Sequence, residues 1–381
     1  MYYPKTSTSE LYQHTIHRTD SRHTWVDYAK GVAIILVLYR HVFEGIKNSG
    51  IDVSKYIYLE EWNIIFFSFR MPLFFIVSGV FVSSSFAKRG FKEFVQTKMR
   101  TILYPYFLWG IIQITLQLLF SQYVNGSVDL HSYLDLLYLP REIEQFWYLY
   151  ALFNGTILYV ILKYKAGLRP WHHLVLGLIL FSISAYLYQK NIVIGFVSDI
   201  FHYYIFIALG DVISKFIRNR NNWRTFESWK SFFLLLLPFF LSQIYFLYAN
   251  IQYPQMKYQY VEYFYPFIFL PIALIGCAFV INVSFILQRY SRAKWLEVLG
   301  KHSLYIYVSH VIVVASLRIL ITRVFGIYSV PLLMSAGITF GLVIPVLLYK
   351  VAVKINMPWI FSLRDDKKLI VSSEQALPEK I

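Results

Sequence analysis

Four clusters of polar side chains interrupt otherwise apolar stretches of this 381-residue chain, and each holds groups able to do chemistry. The first is Asp27, Lys30, Arg40, His41 and Glu44. His41 follows Lys30 by eleven positions, which on a helix is about three turns and about 16 Å, so the two share a face at different depths. A neutral imidazole at mid-membrane can take a proton from a hydroxyl, because its pKa is easily tuned. The plainer reading is a histidine that only bonds a neighbouring helix. The second cluster runs from Phe67 to Gly79 around Arg70 and Pro72. Arginine keeps its charge, so Arg70 must meet an anion, a carboxylate or water. A purely structural Arg70 would need Asp199, Asp211 or Glu262 as its partner. Counted inward from Trp62, Arg70 lies about 12 Å deep, comparable to His41. A cation and a proton acceptor at one depth suggest an oxyanion or phosphate environment.

The third cluster places Ser303, Tyr307 and His310 at i, i+4 and i+7, one polar stripe on a helix facing the bundle interior. Its alternative is a set of interhelical hydrogen bonds without substrate. In the fourth, Phe146-Trp147-Tyr148-Leu149-Tyr150 opens an apolar run, as an interfacial belt or as a substrate platform. No metal site is expected, since His172-His173 stand without acidic or cysteine neighbours. The phosphate-binding GxxxxGK[ST], the dinucleotide GxGxxG and the hydrolase GxSxG are absent from the sequence, which leaves ATP-driven transport and a serine hydrolase unsupported.

These residues need elements to hold them, and composition says which. Hydrophobic residues make up 57% of the chain and charged ones 15%, too apolar for a soluble domain of this size to bury. The single cysteine, Cys277, excludes a disulfide scaffold. An all-α integral membrane protein follows, with about ten transmembrane helices. The spans are read at about 28–45, 62–85, 101–123, 145–162, 171–189 and 192–214, then 231–249, 261–287, 302–321 and 328–349. Pro266 and Pro271 are expected to kink the eighth. Loops at 46–61, 122–144 and 250–260 are long enough to roof a cavity.

Lysine and arginine orient the bundle. With the N-terminus in the cytoplasm, 27 of the 36 fall on that face, 6 on the other, and Arg40, Arg70 and Arg318 lie within spans. The asymmetry obeys the positive-inside rule and predicts both termini cytoplasmic. The net charge of +15 is thus mainly a topology signal, with a contribution from anionic lipid, and nucleic acid binding is unsupported. The expected division is a polar cytoplasmic tail over 1–24, a transmembrane domain over 25–350 and a cytoplasmic C-terminal tail over 351–381. No secretory signal is expected before the first span.

Taken together, these motifs resemble the membrane acyltransferase-3 family, and within it the branch described as fucose 4-O-acetylase-like. The matching residues are Trp25 to Val37 with Lys30 and His41, Phe69 to Phe75 with Ser78-Gly79, Phe146 to Leu149, and Leu299 to His310. They stand in family order, and the resemblance covers roughly 25–350. Lys30 occupies a position where the wider family mostly has arginine, and Arg40 replaces a small residue. The resemblance implies an acyl-CoA-dependent O-acetyltransferase in a bacterial cell (inner) membrane. Its donor would be acetyl-CoA, its acceptor a sugar hydroxyl of a surface polysaccharide or a lipid-linked saccharide. His41 would be the base, Arg70 and Lys30 would hold phosphates or an oxyanion, and Arg89 and Arg100 would attract the CoA nucleotide. Trp147, Tyr150, Ser303, Tyr307, His310 and Glu44 would line the substrate cavity. The main rival is a transporter or flippase of a polar or lipid-linked sugar, with Asp199, Asp211 and Glu262 as coupling sites. Against it stands the lack of an inverted repeat with paired broken helices.

Overall fold

In lipid every backbone amide must bond within its own segment, so apolar runs of this length become helices. The computed structural model describes residues 23–123, 125 and 128–363, and among them there is no strand. The tails assigned to 1–24 and 351–381 lie outside the described residues for 1–22 and 364–381. Ten long helices follow the ten apolar runs: α1 (Thr24–Asn48), α2 (Phe67–Lys98), α3 (Tyr104–Leu119), α4 (Trp147–Tyr164) and α5 (Pro170–Gln189). The rest are α6 (Phe196–Arg218), α7 (Trp229–Ile251), α8 (Pro266–Tyr290), α9 (Ser303–Ile319) and α10 (Val330–Lys354).

Among the described residues, eight helical segments are long and apolar enough to cross a membrane, and one of these, Ser54–Leu119, contains both α2 and α3. Helix α1 is not among the eight, because charged residues interrupt its apolar run. Helix α2 continues through the stretch read as a loop after Ser85 and breaks at Gly90, whose φ of +72° only glycine adopts at no steric cost. Pro266 takes the first turn of α8, where its missing N–H costs nothing, and the short helix Tyr260–Phe264 precedes it.

Helix α1 is the hub. It packs against α2, α8, α9, α10 and the short helix Lys294–Lys301. Trp25, Phe75, Phe146, Tyr204, Phe206 and Phe285 are fully buried in the main core. A smaller core of Leu38, Val42, Phe43 and Ile46 with Val314, Leu333 and Met334 pins the second half of α1 between α9 and α10. Helix α7 is the opposite case. Only Gln243, Phe246 and Asn250, at i, i+3 and i+7, are buried, and the rest of its surface is mostly apolar and exposed or half-buried, as a lipid-facing helix requires. Helices α2 and α6 cross at Gly79 and Gly210, where a Cβ on either glycine would overlap the opposing backbone carbonyl.

Candidate functional site

A cavity of about 760 Å³ opens in the half of the bundle remote from Lys30. Its walls are the second half of α1, the first turns of α2, the last turns of α3 and the second half of α9. Parts of all three long loops close it: Asn48, then Tyr123, Asn125 and Arg141, then Lys257 and Gln259. The inner end is polar and holds His41, Arg70 and Tyr307. Above them, Leu116, Phe120, Val311, Ala315 and Ile319 make an apolar wall between α3 and α9.

Arg70 is 1% exposed. Its Nη1 donates to the Leu36 carbonyl at 3.3 Å and to Asn63 Oδ1 at 3.5 Å, both neutral acceptors. Its guanidinium also lies against the Phe67 ring, 5.6 Å from the centroid, with Arg40 at 5.7 Å from the same ring. Arg40 has an anion: its Nε bonds Glu44 Oε1 at 2.9 Å. Asn63 Nδ2 donates to the same oxygen at 3.5 Å and ties the two arginines into one network.

The three carboxylates that would make Arg70 structural are engaged elsewhere. Asp199 accepts from Arg141 Nε at 2.6 Å, Glu262 Oε1 lies 3.0 Å from His202 Nε2, and Asp211 pairs with Lys163 while accepting from Tyr159. Among the described residues, none of the three pairs with Arg70. Among the described residues Arg70 thus has only neutral hydrogen-bond acceptors, with the Glu44 carboxylate within electrostatic reach through the Asn63 network, and it shares the cavity wall with His41, which is an anion-receptive arrangement.

His310 does not line the cavity; it sits behind His41, the ring centroids 5.1 Å apart at 64°. Its Nδ1 faces the carbonyls of Ile306 at 3.0 Å and Tyr307 at 2.8 Å. Carbonyls only accept, so Nδ1 carries the proton and Nε2 is the basic nitrogen. Tyr307 donates its hydroxyl to the Gln145 carbonyl.

Trp147 lines the cavity, but its ring is covered by the Arg141 guanidinium at 4.3 Å and packs on Tyr203 at 5.2 Å. Tyr150 points away and stacks on Tyr106 at 5.0 Å. Ser303 begins α9, seven residues and about 10 Å from His310, and is not part of the cavity wall. Lys30 does not meet Arg70. It lies at the opposite end, where Lys98 is within electrostatic reach of both Lys30 and Arg89. Arg100 is exposed close by in sequence, its carbonyl accepting from the Leu363 amide at 3.2 Å. The wall also holds Gln113, Arg141, Glu144, Gln145 and Lys257, which sequence reasoning did not single out, and Arg318, noted there only for lying in a span.

A family profile described as "Acyltransferase domain" matches residues 23–350. Two curated proteins named nodulation protein NolL are similar to parts of the chain. The one from Mesorhizobium japonicum is 27% identical over 153 residues, 40% of this chain and 39% of that protein. The one from Sinorhizobium fredii is 23% identical over 204 residues, 53% of this chain and 52% of that protein. The chain thus spans about half or less of the length of these relatives. No solved structure matches it.

Proposed function

The chain belongs to the acyltransferase-3 family, and from that premise we propose that it is a membrane O-acyltransferase that moves an acetyl group from cytoplasmic acetyl-CoA to a sugar hydroxyl on the other side of the bilayer. The acceptor is a surface polysaccharide or its lipid-linked precursor. One observation carries the reading: Arg70, with no carboxylate partner among the three candidates, stands with His41 at the inner end of a cavity large enough for a sugar.

His41 accepts the acceptor's hydroxyl proton. The oxygen then attacks the thioester carbonyl carbon. Arg70 faces the oxyanion of the tetrahedral intermediate, a role in which a fixed charge in a dry site is most effective. The C–S bond breaks, the thiolate of CoA leaves, and His41 returns the proton to it. Atoms and charge balance without a metal or a redox partner. The donor's phosphates suit the cluster of Lys30, Arg89 and Lys98 with nearby Arg100. By the lysine and arginine asymmetry, that end belongs in the cytoplasm of a bacterial cell with both termini. From Lys30 to His41 is about 16 Å along α1, a distance suited to the extended arm of the donor.

Transport is less well supported, because each of Asp199, Asp211 and Glu262 is held by a basic group rather than free to couple ions. The test compares O-acetyl content of surface saccharide in cells lacking the gene, complemented with it, or carrying His41→Gln at matched expression. Wild type restores acetylation and His41→Gln does not. Equal restoration by both would sink the mechanism.

A further inference from the structure

The charges around the cavity do not cancel. Arg40, Arg70, Arg141, Lys257 and Arg318 line it against the carboxylates Glu44, Glu144 and Glu262. Glu44 bonds Arg40, Asp199 behind the wall bonds Arg141, and Glu262 is shared with His202. Arg70, Lys257 and Arg318 are left with Glu144 as the remaining carboxylate of the wall. Arg70 has a place in the transfer step. Arg318 has none, and it is 8% exposed. Its Nη1 donates to the Gly45 carbonyl, and Glu144 lies within its electrostatic reach, but among the described residues no carboxylate pairs with it directly. A guanidinium so placed favours an incoming anion, since it cannot shed its charge. Gly45 follows His41 by four positions on α1, so Arg318 is anchored about one helical turn, or about 6 Å, from the base toward the mouth.

The second observation is the apolar flank beside Arg318, made by Val311, Ala315 and Ile319 of α9 with Leu116 and Phe120 at the end of α3. It does not stop inside the protein. Val324, which also lines the cavity, is 69% exposed, and Leu119 and Phe325, outside the cavity, are 71% and 63% exposed. Exposed apolar side chains on the spans of a membrane bundle face lipid, so this flank passes into the lipid-facing surface between α3 and α9. A cation one turn from the base and a flank continuous with lipid together describe an amphiphile with an anion between its two ends. A free anionic saccharide would use the cation and not the flank, and a neutral glycolipid the flank and not the cation. We propose that the acceptor is a lipid-linked saccharide whose phosphate or pyrophosphate docks on Arg318, whose hydrocarbon chain lies along the α3–α9 flank, and whose first sugar reaches His41. The inference rests on the transferase reading above and chooses, of its two acceptors, the membrane-bound one. Lys257, exposed in the roof with no ion-pair partner among the described residues, adds attraction for the same anion. The separation of about 6 Å from the phosphate site to the base suits one sugar ring, so the acetyl group falls on the residue next to the phosphate.

The decisive experiment needs no variant. Purified enzyme in nanodiscs receives acetyl-CoA and the lipid-linked saccharides extracted from the strain lacking the gene, offered together with an equal amount of the same saccharides released from their lipid phosphate by mild acid. The intact form is expected to take about tenfold more acetyl than the released form, the margin of one charge-assisted phosphate contact. Fragment mass spectrometry places that acetyl on the sugar next to the phosphate. Arg318→Gln then raises the KM for the intact acceptor about tenfold, with the acetyl-CoA KM within about twofold, and Arg318→Lys recovers part of the loss. Arg323→Gln, an exposed charge outside the cavity wall, leaves both values unchanged. Equal or greater transfer to the released saccharide, acetyl on a more distant sugar, or an Arg318→Gln effect confined to acetyl-CoA would each overturn the inference. Wild-type enzyme that acetylates neither form would sink the transferase reading itself, a result distinct from these.

Discussion

Arg70 and Arg141 face the same cavity and are built in opposite ways. Arg141 is 39% exposed, bonds the buried carboxylate of Asp199 and covers the Trp147 ring. Arg70 is almost fully buried, yet its hydrogen-bond acceptors are a carbonyl and an amide oxygen. Desolvating a charge is costly, and an ion pair repays that cost only with a good partner. Arg141 has one. Arg70 is held in an unfavourable state by its surroundings, which is how a site keeps a cation ready for charge that develops during a reaction. In the proposed transferase, the pair separates a cation that maintains shape from one reserved for chemistry.

Four substitutions, one of them a second-site change, would break or sharpen that contrast. Arg70→Gln has the largest expected effect: acetyl transfer falls by about 100- to 1000-fold, the loss typical of one oxyanion-stabilising group. Its thermal midpoint in detergent stays level or rises, since an uncompensated buried charge is gone. A large loss of stability would make Arg70 a structural residue after all. Arg141→Met behaves the other way round. It strands Asp199 and destabilises the fold by about 3 kcal/mol, the low end of the range because Arg141 is partly hydrated, while the activity of the folded fraction falls less than with Arg70→Gln. Adding Asp199→Leu to it restores most of the midpoint, whereas no second-site change restores transfer to Arg70→Gln. The smallest effect belongs to the other end of the molecule. Arg89→Gln raises the acetyl-CoA KM by about threefold at low salt, and the difference fades as ionic strength rises, as expected for a partly exposed charge.

Much of this was readable in the chain. Apolar runs bounded by charge located the ten long helices within a few residues at nearly every end, because the membrane leaves the backbone no alternative, but α2 runs on past Ser85 to Lys98, where no lipid constrains it. His41, Arg70, Tyr307 and Trp147, from four distant segments, do meet at one cavity. The polar stripe on α9 was legible as a stripe but not in depth. Seven residues along a helix cover about 10 Å, so Tyr307 reaches the cavity while Ser303 stays near the basic end. Tyr150 sits three positions from Trp147 yet stacks on Tyr106 instead, a choice made by the neighbouring helix. The Gln113–Gln145 pair joins residues 32 positions apart, and the Arg141–Asp199 pair 58, so neither appears in any local pattern. A glutamine inside an apolar span was the one available signal for Gln113.

The glycine crossing of α2 and α6 has a mechanical consequence. With backbone touching backbone at Gly79 and Gly210, the helices cannot slide along one another without driving Ile76 and Ile207 into the opposing turn. On the cavity side of the crossing, Phe75 of α2 stacks on Tyr203 of α6 at 4.5 Å, a second fastening between the same two helices. Arg70 lies nine residues from Gly79 on α2, and Tyr203 seven from Gly210 on α6, both in the cavity wall. The crossing thus works as a datum: it fixes how far along its axis each helix sits, and so at what depth those two side chains stand.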